Sequence, residues 1–166
     1  VGVSALDANT TANDNVAVGT NALTSNTTGN DNIALGHNAL SANTTANDNT
    51  GLGNKALEAN TTGAANTAVG NNAGSQCTSG DNNVFVGSGA GGNVTTGDKN
   101  TFLNSTGPVS TGDFNMLLGF NAGEAGSPSG QVTTGSGNVV LGNNNVSALF
   151  CADTSISSSD QRDKTD

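Results

Sequence analysis

Asn15-Val16-Ala17-Val18-Gly19 returns as Asn32-Ile33-Ala34-Leu35-Gly36 and again as Asn49-Thr50-Gly51-Leu52-Gly53. The figure continues at Asn66-Thr67-Ala68-Val69-Gly70, Asn83-Val84-Phe85-Val86-Gly87 and Asn100-Thr101-Phe102-Leu103-Asn104. Its closing position falls at residues 2, 19, 36, 53, 70, 87 and 104, a strict period of 17. Two further copies are displaced. Asn115-Met116-Leu117-Leu118-Gly119 arrives two residues early, and Asn138-Val139-Val140-Leu141-Gly142 follows an insertion from Glu124 to Gln131 that contains Pro128.

Working outward, Ala-Leu follows the glycine at Ala5-Leu6, Ala22-Leu23, Ala39-Leu40 and Ala56-Leu57, and becomes Ala-Gly at Ala73, Ala90 and Ala122. A turn segment precedes each figure, as in Asn9-Thr10-Thr11-Ala12 and Val132-Thr133-Thr134-Gly135. A unit of 17 residues is too short for a helix pair, which takes over ~30 residues in helical repeats. Short apolar runs between Asn and Gly read as strands between turns. The fold expected is all-β: a parallel β-solenoid with one strand per coil, advancing ~4.8 Å per coil. Residues 1–146 form the solenoid shaft, and 147–166 a C-terminal linker. The opening at Val1-Gly2 falls within a repeat, as in a piece of a longer chain.

Composition agrees with a thin, repeated core. Hydrophobic residues are 33% of the 166 and aromatics 3%, with no Trp or Tyr, too few to fill a wide interior. Charged residues are only 10%, and the polar bulk is turn-forming Asn, Thr, Ser and Gly rather than the residues of solvated tails. The net charge of −9, with Lys55, Lys99, Arg162 and Lys164 the only basic residues, argues against nucleic-acid binding. No apolar run approaches the ~20 residues of a membrane span, so membrane insertion is not expected.

The third strand position holds Val18, Leu35, Leu52, Val69, Val86, Leu103, Leu118 and Leu141. A large aliphatic in every copy is the expected structural core. The position before it, Ala17, Ala34, Gly51, Ala68, Phe85, Phe102, Leu117 and Val140, then points to the opposite face. It carries no polar residue either, so it is expected to pack between chains, and a sheet apolar on both faces is a covered sheet. The invariant Asn15, Asn32, Asn49, Asn66, Asn83, Asn100, Asn115 and Asn138 are expected to stack as a buried amide ladder rather than line a ligand site. The closing Gly is read as a bend with positive φ.

Candidate chemistry is sparse. Asp14, Asp31 and Asp48 share one column, and Asp81 and Asp98 another, but the glycine-rich nonapeptide of calcium solenoids is absent. Asx turns explain these residues, and no metal or cofactor is expected. His37 is the single histidine, a turn residue around which no triad can be built, so the chain is not expected to be an enzyme. Cys77 and Cys151 lie over four coils apart, beyond the ~7 Å that a disulfide spans. Asn-x-Ser/Thr triplets at Asn9, Asn26, Asn43, Asn60, Asn93, Asn104 and Asn145 are nominal glycan sites on outer turns. Thr-Thr pairs raise an ice-binding reading, but neighbours on a strand point to opposite sides. The segment Gly123 to Ser136 is the candidate recognition loop.

Asn32 to Ala39, Asn-x-Ala-x-Gly-x-x-Ala, resembles the repeats of trimeric autotransporter adhesin heads over roughly Val1 to Val146. Those heads are trimers of parallel β-rolls, and the resemblance implies a homotrimer; the column pattern alone implies only self-association. With the middle column at the contact, small residues in four coils and bulky ones in the next four would set three chains close at first and wider later. Ser159-Asp160-Gln161-Arg162-Asp163-Lys164 is similar to the opening of the self-cleaving intramolecular chaperone domain that ends many phage and large-virus tail fibres. That resemblance implies Ser159 and Lys164 as the cleavage dyad of a precursor, with the chaperone body absent here. Together they imply a fibre shaft on a virion surface or otherwise extracellular, with itself and a host surface receptor or glycan as partners. The head of a cellular trimeric adhesin is the alternative.

Overall fold

The structure is a computed structural model that describes residues 2–124 and 131–142. The described residues contain eight strands and no helix: β1 (Val16–Val18), β2 (Ile33–Leu35), β3 (Thr50–Leu52), β4 (Thr67–Val69), β5 (Val84–Val86), β6 (Thr101–Leu103), β7 (Met116–Leu118) and β8 (Val139–Leu141). They form one parallel sheet in chain order, each strand paired with the next. The first five pairings stack equivalent residues 17 apart, from Val16 on Ile33 to Val84 on Thr101. The protein is a β-solenoid with one strand per coil.

Two coils break the spacing without breaking register, since Thr101 pairs with Met116 and Met116 with Val139. In the short coil, Ser105 replaces part of the Ala-Leu turn. Its buried hydroxyl donates to the Ala122 carbonyl at 3.0 Å and accepts from the Gly107 amide at 3.2 Å. In the long coil the Val132 amide donates to the Gly123 carbonyl at 2.9 Å, joining the described residues on either side of the insertion. Residues 125–130 of the expected recognition loop, Cys151, Asn145, Ser159, Lys164 and the 147–166 linker lie outside the described residues.

The strand faces are the reverse of the sequence expectation. Ala34, Ala68, Phe85, Phe102 and Leu117 are wholly buried, Val140 is nearly so, and Ala17 packs against the same cluster. Val18, Leu35, Val69, Val86, Leu103 and Leu141 are exposed, and Leu52 and Leu118 half-buried. The column assigned to the core is therefore the outer one, and the column assigned to chain contacts is the core. The reason lies in the buried Asn at the head of each strand. It sits two residues before the middle position, and a strand repeats its face every second residue. An inward Asn brings the middle residue inward with it.

The opposite wall of the interior is the turn after the glycine. Ala22, Leu23, Ala39, Leu40, Ala56 and Leu57 are fully buried. Leu23, Leu40 and Leu57 hold φ near +52°, a left-handed conformation that costs leucine about 1 kcal/mol or more. Burying each side chain returns roughly 1.5–3 kcal/mol. Further along, Gly74, Gly91 and Gly123 occupy this place at φ between +58° and +79°. A Cβ on Gly91 would lie 2.1 Å from Phe85 Cδ1, and one on Gly74 2.5 Å from Phe85 Cδ2. Large strand residues thus fill the space vacated by the turn leucines. This exchange inside one chain accounts for the small-to-bulky drift of the middle column, which the sequence reading assigned to splaying of three chains.

Candidate interaction surface

Each strand starts inside, with its asparagine. Asn15 Nδ2 donates to the Gly29 carbonyl at 2.8 Å, and Asn32 Nδ2 to the Ala46 carbonyl at 2.8 Å. The Oδ1 of each Asn accepts the backbone N–H of the next: Asn32 on Asn15 at 2.9 Å, Asn49 on Asn32 at 3.0 Å, Asn83 on Asn66 at 2.9 Å. From Asn83 on, amide-to-amide bonds join the ladder, with Asn100 Nδ2 donating to Asn83 Oδ1 at 3.1 Å. These amides tie coil to coil, and their hydrogen-bonding groups are directed at the chain's own atoms.

A second buried amide column escaped the sequence reading. Asn26, Asn43 and Asn60 are fully buried, and Cys77, Val94 and Val109 continue the column. Asn26 and Asn60 donate to the carbonyls of Gly29 and Gly63, and Asn43 to that of Ala46. The glycan expectation fails at these three residues, because a folded chain offers no access to a buried amide. Asn9, Asn93 and Asn104 remain exposed. The usable signal was position: these residues recur three before the inward-facing Ala or Gly of the turn, with Val standing in for them later.

The remaining candidates are distributed over the turns. Asp81 and Asp98 each accept a backbone N–H from the preceding coil, from Ala64 at 2.7 Å and Asp81 at 2.8 Å. Asp14, Asp31 and Asp48 occupy left-handed corners. Among the described residues no group of three or more His, Cys, Asp or Glu could hold a metal ion. His37 is exposed, its Nδ1 lying 3.3 Å from Asn54 Nδ2. In the threonine turns, the first hydroxyl of each pair donates to the next coil's carbonyl, as Thr27 Oγ1 does to Thr44 at 3.0 Å, while Thr28 and Thr45 are exposed. Cys77 is buried, and burial above all pushes its thiol up from 9.0 to about 11. The hydrogen bond to the Gly80 carbonyl opposes that rise, and Asp81 and Asp98 add to it. Such a thiol is protonated and unreactive near neutral pH. No helix among the described residues is long and apolar enough to cross a membrane.

What stands out is the outer face of the sheet. Its two columns are the first and third strand positions: Val16 and Val18, Ile33 and Leu35, Thr50 and Leu52, Thr67 and Val69, then Val84 and Val86, Thr101 and Leu103, Met116 and Leu118, Val139 and Leu141. No charged residue interrupts them. Val16 is 50% exposed, Leu35 52% and Val139 66%. Seven steps between eight strands make this face ~34 Å long at ~4.8 Å per step. With a width near 10 Å, it offers on the order of 350 Å² of mostly apolar surface, the size at which patches mark interaction sites.

No family model matches the chain, no curated protein matches it in sequence, and no solved structure matches it in fold.

Proposed function

We propose that the chain is a shaft segment of a homotrimeric fibre of the viral, phage-like kind, which carries or supports a host-attachment element. The observation that carries this reading is the outer sheet face, a charge-free strip whose third-position column is aliphatic on every described strand. Its role in the assembly is to be covered by further copies of the same chain. A solenoid's surface repeats at the coil step, and another copy carries the same period. The number three and the viral setting follow from the repeat figure and from the Ser159–Lys164 motif, which resemble fibre proteins. Function here is mechanical: parallel ladders within each chain, and apolar burial between chains, resist bending and proteolysis.

The test is to place charge on the outer face of the full chain. Leu35→Lys with Leu52→Lys leaves the interior untouched and should dissociate the assembly, lowering its mass in solution and its resistance to protease. The far-ultraviolet circular dichroism should stay that of the parent. A doubly charged variant that keeps the parent's mass and protease resistance would refute this reading.

A further inference from the structure

The two long edges of the apolar strip differ, and they match one another level by level. One edge is the corner two residues before each strand: Asp14, Asp31, Asp48, Ala65, Asn82, Lys99 and Phe114. The other is the position two residues after the strand, with its neighbour: Thr20-Asn21, His37-Asn38, Asn54-Lys55, Asn71-Asn72, Ser88-Gly89 and Phe120-Asn121, while in the shortened coil after β6 Ser105 is buried instead. Beside β7, Phe114 on one edge and Phe120 on the other are 60% and 64% exposed, in a chain with five phenylalanines in all. Lys99 Nζ lies 4.8 Å from the Phe114 ring centre and caps one side of it. Beside β3, Asp48 stands opposite Lys55, whose ammonium pairs with Glu58 at 3.3 Å. No level sets like charges on its two edges.

Building on the self-association proposed above, we infer that copies pack parallel and in register around a rotation axis along the rod, with Phe114 of one copy against Phe120 of the next. Rotation about such an axis brings the first edge of each copy to the second edge of its neighbour at the same level. Phe114 then meets Phe120, Asp48 meets Lys55, and Asp31 meets His37. Aromatic pairs of this kind contribute beyond their buried area, and the heterologous contact closes into a ring. An antiparallel pairing centred on the same sheet instead joins like edges at opposite levels. It sets Phe114 against Asp14 and Phe120 against Thr20, and gains only Lys99 against Asp31. The aromatic residues decide for the parallel arrangement.

Cysteine cross-linking of the full chain tests the arrangement, in a Cys151→Ser background with the buried Cys77 retained. The variants are Phe114→Cys, Phe120→Cys, the two combined, and Asp14→Cys with Phe114→Cys. Within one chain, Phe114 and Phe120 are separated by strand β7, beyond the ~7 Å that a disulfide bridges. On mild oxidation the combined Phe114→Cys/Phe120→Cys variant should shift to covalent oligomers on a denaturing gel. Each single variant should remain at chain mass, and mixing the two singles before assembly should yield covalent dimers. Cross-linking of the Asp14→Cys/Phe114→Cys pair instead, or an oligomer in solution with no cross-link at Phe114 and Phe120, would overturn the parallel register while leaving self-association standing. A monomer mass for every variant and for the parent would overturn the self-association itself.

Discussion

From Ala22 to Ala68 the interior is filled from the turn, by Leu23, Leu40 and Leu57, against strand residues no larger than alanine. From Gly74 onward it is filled from the strand, by Phe85, Phe102 and Leu117, against turn residues reduced to glycine. Backbone register is the same in both regions. What a coil conserves is therefore the total volume between two walls, and the side chain that supplies it can be moved from one wall to the other. Close packing explains the tolerance and its limit, since cores accept repacking at constant volume and resist either excess or void. The rings of Phe85 and Phe102, 5.8 Å apart and tilted by 46°, link consecutive coils in the second region. The first region stacks aliphatic leucines.

The largest expected effect comes from forcing one region's solution onto the other. Phe85→Ala should lose about 3–5 kcal/mol by opening a cavity, and Gly74→Leu should lose about 3 kcal/mol by driving a side chain into the Phe85 ring. The pair together rebuilds the Leu57 and Ala68 arrangement one coil later. Its loss, measured by denaturant unfolding, should be well below the sum of the singles. Strictly additive losses would break the constant-volume account.

The asparagine ladder should distinguish the regions. Asn100→Ala strands the Gly112 carbonyl and the Asn115 backbone N–H, whereas Asn32→Ala strands only the Asn49 N–H, because Asn43 Nδ2 still reaches the Ala46 carbonyl. In denaturant unfolding Asn100→Ala should cost about 2–3 kcal/mol and Asn32→Ala about 1–2 kcal/mol. Equal losses would show that the second amide column does not back up the ladder in the first region.

At the boundary, Cys77 gives a pH-dependent reading. Its thiol titrates near 9.0 when unperturbed and about 11 in the fold, so below pH 9 both states are protonated and stability is unaffected. Between those values the unfolded chain releases its proton first, and stability should fall with rising pH, by about 3 kcal/mol in all. Cys77→Val, which copies Val94, should remove that slope from the alkaline unfolding profile. An unchanged slope would place its origin elsewhere.

The smallest effect concerns Asn60, whose Oδ1 is buried without a hydrogen-bond partner. The Gly63 carbonyl that its amide reaches also accepts from Asn49 Nδ2 at 2.9 Å. Asn60→Val should thus strand nothing and should gain up to about 1 kcal/mol. A thermal midpoint lowered by the substitution would show that the second amide column is needed in the first region.

The coil length, the strand positions and the Gly bends could be read from spacing, because a period of 17 with a short apolar run leaves few other folds. Which strand face points inward was misread from residue size. Val18 and Leu35 are larger than Ala17 and Ala34, and size suggested burial. The better guide was parity: Asn15 and Ala17 share a face, and a stacked amide ladder belongs inside. The leucine wall was visible as a repeat yet not assignable, because a leucine at positive φ runs against local preference and only the burial of Leu23 and its equivalents explains it. The outer strip of the candidate surface was legible as an apolar column, though attributed to the wrong side. The facing of Phe114 and Phe120 across a strand needed the structure's levels.

Sedimentation equilibrium of the full chain over a wide concentration range bears on the rod's need for company more directly than any substitution. A mass three times that of the chain, unchanged by dilution, is the result expected of a solenoid whose Val16-to-Leu141 strip is buried against its copies. A single species at chain mass throughout, with that strip open to water, would contradict it.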